Sequence, residues 1–190
     1  MKTEYISVGE IKRDNIIKIA IVGPESTGKS TITRQLADHY QTIWVPEYAR
    51  EYCKDLKREY SLEDEVNIFY GQVALEKKVT HLLKGNLLFC DTTVLTVKIW
   101  CDHLFGATPK PVLSYLTEQV YDYYLLMDID LPWQDDELRD FPNLREHFMN
   151  IWHKELRTLD AQYDLVSGLG QERFENALAA VDLFLTHTDL

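Results

Sequence analysis

Cysteine is scarce in this chain. Cys53, Cys90 and Cys101 are its three, and no two of them have the CxxC spacing of a thiolate metal site. An odd, sparse set excludes a disulfide framework and reads as buried reduced thiols. The six histidines (His39, His81, His103, His147, His153 and His187) are scattered without metal-ligand spacing. No apolar run approaches the roughly 20 residues that span a bilayer. Met1 to Asn15 is polar and lacks the apolar centre of a signal peptide. These absences point to a cytoplasmic chain with no membrane partner. Positive charge is short as well: 20 Lys and Arg stand against 31 Asp and Glu, a net charge of −11. That excludes non-specific nucleic-acid binding, which rests on many Lys/Arg–phosphate contacts. It does not exclude a nucleotide, which backbone N–H groups and one Lys can hold whatever the global charge. Internal repeats and low-complexity stretches are missing too.

With 190 residues, 45% of them hydrophobic, the chain suits one compact α/β domain with its own core. Ile16 to Val22 is a nearly continuous apolar run, as in a strand buried on both faces of a parallel sheet. Helical periodicity follows over Ser30–Tyr40, then a short strand over Thr42–Val45 and a helix over Glu47–Leu56. Ser61 and Asp64 make a capping box opening a helix that reaches about Leu83. Leu87–Cys90 is a third strand with Asp91 at its end. A helix then runs from Thr92 to Phe105, stopped by Gly106. A short helix leads to strand four, Tyr123–Met127. Residues 128–142 form a long acidic loop, and Asn143–Leu159 is helical. Tyr163–Val166 is strand five, and Gln171–His187 closes the chain as an amphipathic helix. The alternation predicts a three-layer α/β/α sandwich on a five-stranded parallel sheet, with ligands at the C-terminal ends of its strands.

Between strand one and the first helix stands Gly23-Pro24-Glu25-Ser26-Thr27-Gly28-Lys29-Ser30, then Thr31. It fits G-x-x-x-x-G-K-[ST] at every fixed position, the pattern of a phosphate-binding P-loop. The glycines permit close backbone approach, and successive N–H groups form a nest for the β-phosphate at the helix start. Lys29 bridges β- and γ-phosphates, and the Ser30 hydroxyl ligates Mg²⁺. ATP and Mg²⁺ are the expected ligands. Asp91, ending an apolar strand, suits a Walker-B metal carboxylate and equally an N-cap for the next helix. Glu47 and Arg50 follow strand two. A carboxylate there suits a base for an attacking hydroxyl, and an Arg suits a phosphate or ribose; an ordinary i,i+3 ion pair explains them as well. Glu25 either orients a metal-bound water or points outward.

The loop over residues 128–142 stands where small-molecule kinases carry a lid. Arg139, and behind it Arg145, would reach the transferring phosphoryl group; the rival for Arg139 is local pairing with Asp135, Asp136 or Asp140. The acidic residues of that loop lack regular ligand spacing and read as a solvated segment. Trp133 is the tryptophan best placed to touch ligand. The turn Ser167–Gly170, with Gly168, is the expected adenine neighbourhood. A GTPase would need an N/T-K-x-D segment after a strand, and there is none. The organisation expected is a short segment over residues 1–15 and a single P-loop kinase domain over 16–190.

Four segments carry a resemblance: VGPESTGKSTITRQLADHY, PEYAREY, FCDTTVLTVKIW and PWQDDELRDF. With them the chain resembles the ribosylnicotinamide kinase domain, an AAA-like ATPase domain, of the NadR-type NAD-biosynthesis proteins. The resemblance implies transfer of the ATP γ-phosphate to the 5′-hydroxyl of nicotinamide riboside, in NAD salvage. It puts Lys29 and Ser30 in the P-loop roles, Asp91 in the Walker-B role and Arg139 in the lid role. Glu47, Tyr48 and Arg50 fall in the acceptor segment. Bifunctional members carry an adenylyltransferase domain ahead of this one, so a stand-alone kinase is expected. They also show an aromatic directly before the Glu-Tyr pair, where this chain has Pro46, with Trp44 and Tyr48 the nearest aromatics. Two alternatives share these motifs: a kinase for another nucleoside or small metabolite, and a non-catalytic ATP-binding switch. A small-molecule nucleoside is the expected partner, and homo-oligomerisation is left open.

Overall fold

Ile17, Ile19 and Ile21 of the first strand point one way and Ala20 and Val22 the other, the period of two of a strand. Both sets are buried, in two different core clusters, so this strand sits at the centre of a layered fold. In the computed structural model, which describes residues 16–54, 56–118, 120–136 and 139–188, it is β1 (Ile17–Val22). The expected segment over residues 1–15 lies outside the described residues, as do positions 137 and 138 of the expected lid. The other strands are β2 (Trp44–Val45), β3 (Leu87–Asp91), β4 (Tyr123–Met127) and β5 (Tyr163–Val166). The helices are α1 (Lys29–His39), α2 (Tyr48–Cys53), α3 (Leu62–Thr80), α4 (Val94–Phe105), α5 (Lys110–Leu116), α6 (Arg145–Thr158) and α7 (Gln171–His187).

All four strand pairings are parallel, in the order β2-β3-β1-β4-β5. Ile32, Leu36 and Ala37 of α1 and Ala177, Val181 and Phe184 of α7 pack on one face of the sheet. Leu95 and Ile99 of α4 and Phe148, Trp152 and Leu156 of α6 cover the other. The result is a three-layer α/β/α sandwich with a five-stranded parallel sheet. Ile19 and Ile21 are 0% exposed, and burying each contributes about 1.5–3 kcal/mol. Lys18, the one charge in β1, is paired at 2.7 Å with the buried Glu76 of α3, which also accepts from Tyr121 at 2.7 Å.

Element limits differ from the sequence reading where local pattern competes with tertiary pairing. β2 is two residues long: the Thr42 N–H goes to the Ala37 carbonyl at 2.9 Å, and its hydroxyl, not its backbone, meets the Leu87 carbonyl at 2.6 Å. α2 stops at Cys53 and α3 at Thr80, short of Leu56 and Leu83. The Ser61–Asp64 box is present, the Ser61 N–H donating to Asp64 at 2.8 Å. Asp64 holds there because Arg58 and Tyr52 also donate to it, keeping its carboxyl well below the usual range.

The chain winds from β1 to β2 to β3 on one side, then crosses β1 to reach β4 and β5. A crevice opens at the C-terminal ends of the strands where that order reverses. Ile21 of β1 is in register with Asp91 of β3, which brings the phosphate loop and the acidic strand end to one place.

Candidate active site

Gly23 has φ of 137°, and a Cβ there would meet the Met127 carbonyl oxygen at 2.8 Å, so only glycine lets the loop leave β1 against β4. Gly28, with φ of 79°, starts α1. Inside the loop Thr27 is fully buried and donates to the Pro24 carbonyl at 2.8 Å. Lys29 folds back to donate to the Gly23 and Pro24 carbonyls at 3.0 and 2.7 Å. Burial lowers its pKa, opposed by the charges of Glu47, Asp91 and Glu25, while Arg139 pushes it down further. A cavity of about 1210 Å³ opens over the loop, with residues 23–31 on its wall.

Asp91 ends β3 on the wall of the same cavity. The N-cap alternative for it is corrected: Thr93 caps α4, accepting from the Leu95 N–H at 3.2 Å. Asp91 Oδ1 is buried without a hydrogen-bond partner, and the Ser30 hydroxyl lies against the same carboxylate. Burial, then the negative charge of Glu47, pushes this carboxyl up to about 6. An orphaned buried oxygen beside the loop hydroxyl is the donor set a divalent cation takes, so Ser30 and Asp91 fit Mg²⁺. Thr92, next in the chain, is held at φ of 68°, a strain on the order of 1 kcal/mol for a residue with a Cβ.

Glu47, at the N-cap of α2, and Arg50 both line the cavity. Arg50 Nε lies 3.7 Å from Glu47, and its Nη1 is 2.9 Å from Asp136 in the segment after β4. The local pair and the contact across the cleft therefore coexist. Arg139 lines the cavity too and pairs locally, with the Gln134 carbonyl and, at 4.0 Å, with Asp136.

The segment after β4 is fastened to the phosphate loop. Gln134 N–H donates to Ser26 Oγ at 2.8 Å, and Phe141 N–H to Glu25 at 3.3 Å. Glu25 thus turns to this segment and not outward, and burial raises its pKa. Arg145 joins the Leu131 and Ser26 carbonyls at 2.7 and 3.3 Å. Phe141 packs on Trp100 and His103 of α4, with ring centroids 5.6 and 5.0 Å away.

Three expected ligand contacts fall elsewhere. The Trp133 indole donates to Asp135 at 2.7 Å. The Tyr48 ring packs where a Cβ on Gly71 would stand, pinned as its own N–H donates to Gln72 at 2.7 Å. Gly168 gives its N–H to Asp130 and its carbonyl to Arg173. Among the described residues on the cavity wall, Gly170 and Arg173 represent that end of the chain and Trp44 the aromatics near β2.

Sequence reasoning missed Arg173, 2% exposed at the first turn of α7. It donates to the carbonyls of Gly168, Thr27 and Asp128 at 2.9, 3.0 and 2.6 Å and pairs with Asp130. It also missed Glu65, 3% exposed on α3 and part of the wall of the same cavity. The one available signal was the spacing of Glu65 with Ile68, Phe69 and Gln72, an acid on an otherwise buried stripe.

Comparison with known proteins gives a consistent result. The chain is 29% identical over 156 residues to the trifunctional NAD biosynthesis/regulator protein NadR of Salmonella typhimurium, taking in 78% of this chain and 37% of that protein. The NadR of Escherichia coli matches to the same extent. This chain therefore spans little more than a third of the length of these relatives. Crystal structures of NadR protein superpose with TM-scores of 0.69, in complex with NAD and AMP-PNP, and 0.71, in complex with NR. Their identities are 20% and 19%, over 90% of this chain and 50% of theirs. Deoxyadenosine kinase from M. mycoides superposes at 0.63 with 16% identity, over 88% and 100% of the two chains. These structural likenesses are shared fold. The family model described as AAA domain matches residues 18–173, most of the chain and all of the phosphate loop, and the protein belongs to that P-loop family.

Proposed function

We propose that this domain is an ATP-dependent kinase that transfers the γ-phosphate to the 5′-hydroxyl of nicotinamide riboside, giving nicotinamide mononucleotide. One observation carries the reading: Lys29, Ser30, Asp91, Glu47 and Arg139 all face a single cavity that is larger than the phosphate loop needs. The volume of about 1210 Å³ exceeds the roughly 300–1,000 Å³ of a pocket for one drug-sized ligand. We read the surplus as room for an acceptor beside ATP. The acceptor is our reading of the likeness to the NAD-biosynthesis protein NadR, one structure of which is in complex with NR, and the fold is shared with deoxyadenosine kinase.

Phosphoryl transfer asks the protein for positioning and charge stabilisation more than for covalent chemistry. The N–H groups of residues 23–31 hold the ATP phosphates, and Lys29 leaves the Gly23 and Pro24 carbonyls to bridge β- and γ-phosphates. Ser30 and Asp91 would hold Mg²⁺, which would supply neutralisation of developing phosphate charge. Glu47 takes the proton from the acceptor hydroxyl, since Asp91 is turned to Ser30. Arg139, already on the cavity wall beside Lys29, stabilises charge on the transferring group, and the segment 128–142 serves as the lid that excludes water. Gly170 and Arg173 border the adenine.

The test is acceptor-dependent ADP release with nicotinamide riboside beside adenosine, uridine and nicotinic acid riboside at equal concentration. Preferred use of nicotinamide riboside is the expected result. Equal or better use of a purine or pyrimidine nucleoside would favour the second reading, a kinase for another nucleoside. That reading draws on the Tyr48 ring, which packs over Gly71 and is not among the residues of the cavity wall.

A further inference from the structure

Part of the cavity wall is formed by Cys53, Leu56, Tyr60, Ile68, Val97 and Phe105, and four of these, Cys53, Tyr60, Ile68 and Val97, belong to one apolar cluster between α2, α3 and α4. Tyr60 and Phe105 stack there, their centroids 6.3 Å apart. Into this mostly apolar wall is set one acid, Glu65 of α3, 3% exposed. The Tyr60 hydroxyl donates to it. The other titratable groups around it are Asp64 on the same helix, Cys53 on α2 and Cys101 on α4. None is a cation. Arg58, the nearby guanidinium, is spent on Asp64 at 2.6 Å.

A carboxylate has about four acceptor positions, and a buried one is costly unless it is paired. Its place in the first turn of α3 eases the burial, since a helix N-terminus favours an acid. Neither that nor Tyr60 accounts for an acid facing a cavity, where its remaining acceptor positions meet whatever enters.

We propose that Glu65 reads the base of the acceptor nucleoside, accepting a hydrogen bond from an N–H donor of the base and attracting a cationic ring. The inference rests on the kinase reading above and goes further, since it assigns selectivity to one residue of the cavity wall outside the phosphate loop. A pyridinium ring bearing a carboxamide offers both features. The same ring bearing a carboxylate offers neither donor nor net positive charge and would meet Glu65 with like charge. The site therefore selects amidated over deamidated pyridine nucleosides.

Glu65→Gln keeps the shape and removes the charge. At pH 8 its KM for nicotinamide riboside should rise about tenfold or more, with kcat within about twofold and KM for ATP unchanged. Its preference over nicotinic acid riboside should narrow. Burial pushes the Glu65 carboxyl up to about 7, so the wild-type KM for nicotinamide riboside should also rise between pH 8 and pH 6, while that of Glu65→Gln stays flat. If Glu65→Gln does not fold, Tyr60→Phe replaces it: loss of that hydroxyl raises the carboxyl pKa further, so the weakened binding appears at pH 7 and is restored at pH 8.5. An unchanged KM in Glu65→Gln, or in Tyr60→Phe at both pH values, overturns the inference. Should the wild type ignore nicotinamide riboside and use another nucleoside, the substrate proposal falls. Glu65 is then judged on that nucleoside: a tenfold KM change in Glu65→Gln sustains its role and no change overturns it.

Discussion

Arg50 and Asp136 meet at 2.9 Å, a contact that joins α2, beside β2, to the segment following β4. Asp136 also stands 4.0 Å from Arg139, so one carboxylate bridges two arginines on the cavity wall. The pair is partly exposed, the Arg50 side chain at 46%, and is worth at most about 1 kcal/mol. Asp136→Asn should therefore raise KM for both substrates by no more than about fivefold. The effect should shrink in high salt. Steady-state kinetics at two ionic strengths check this, and a salt-independent change would mean that the pair is not what holds the segment closed.

Lys29→Ala should reduce turnover by at least about a thousandfold, because no other cation reaches the phosphates from inside the loop. Its two bonds to loop carbonyls are made by a side chain that burial already disfavours as a cation. Stability should therefore change by only about 1 kcal/mol. Near-normal ADP release by the variant would remove the phosphate-bridging role.

Asp91→Asn should split stability from activity. The carboxyl is pushed up to about 6, so at pH 8 the ligand-free protein bears an ionised group it disfavours. The variant should melt at the same temperature as the wild type or higher. Its turnover should nonetheless fall on the order of a hundredfold or more, with a raised Mg²⁺ requirement. Thr93, and not Asp91, caps α4, so no helix is lost. Unchanged Mg²⁺ titrations would refute the metal role.

Glu65 makes a pH prediction whose sign follows from its raised pKa. Below its ordinary value of 4.5 it is protonated in folded and unfolded chains alike. Between 4.5 and about 7 the folded protein keeps a proton that the unfolded chain has lost. Its contribution to stability therefore declines as pH rises through that window, by on the order of 3 kcal/mol in total. Glu65→Gln should match the wild type near pH 4.5 and be the more stable protein at pH 8. Denaturant melts of both at the two pH values decide it; a variant less stable at pH 8 would reverse the assignment.

Arg173→Met would leave the Thr27, Asp128 and Gly168 carbonyls and the Asp130 carboxylate without their shared donor. The expected cost is about 3–5 kcal/mol, with a melting temperature lower by roughly 6–20 °C. Among folded molecules KM for ATP should rise, since Thr27 belongs to the phosphate loop. A small change in melting temperature would show that the network carries little energy.

The sequence made the layered fold legible because its signals are local. β1, β3 and β4 are short, nearly continuous apolar runs, β5 is closed by the turn that starts at Ser167, and the phosphate loop is a contiguous pattern. What stayed hidden depends on which way a side chain turns. Tyr48 and Trp133 lie in the expected segments, yet Gly71 leaves space for one ring and Asp135 holds the other. Glu65 and Arg173 stand on amphipathic helices, where a charge in the sequence reads as solvated. Only tertiary packing makes one of them 3% exposed and the other 2%.

Arg173 also limits how the site can move. One planar guanidinium is shared by the phosphate loop at Thr27, the root of the following segment at Asp128 and Asp130, and the turn at Gly168. In kinematic terms these three points are a single pivot. The stretch beyond it is tied down at its far end too, where Phe141 meets Glu25, Trp100 and His103 and Arg145, at the start of α6, donates to the Leu131 and Ser26 carbonyls. Any opening of this segment would then be a bow between two anchors, largest around residues 134–136, where Ser26 and Arg50 hold it, and least at Leu131 and Arg145.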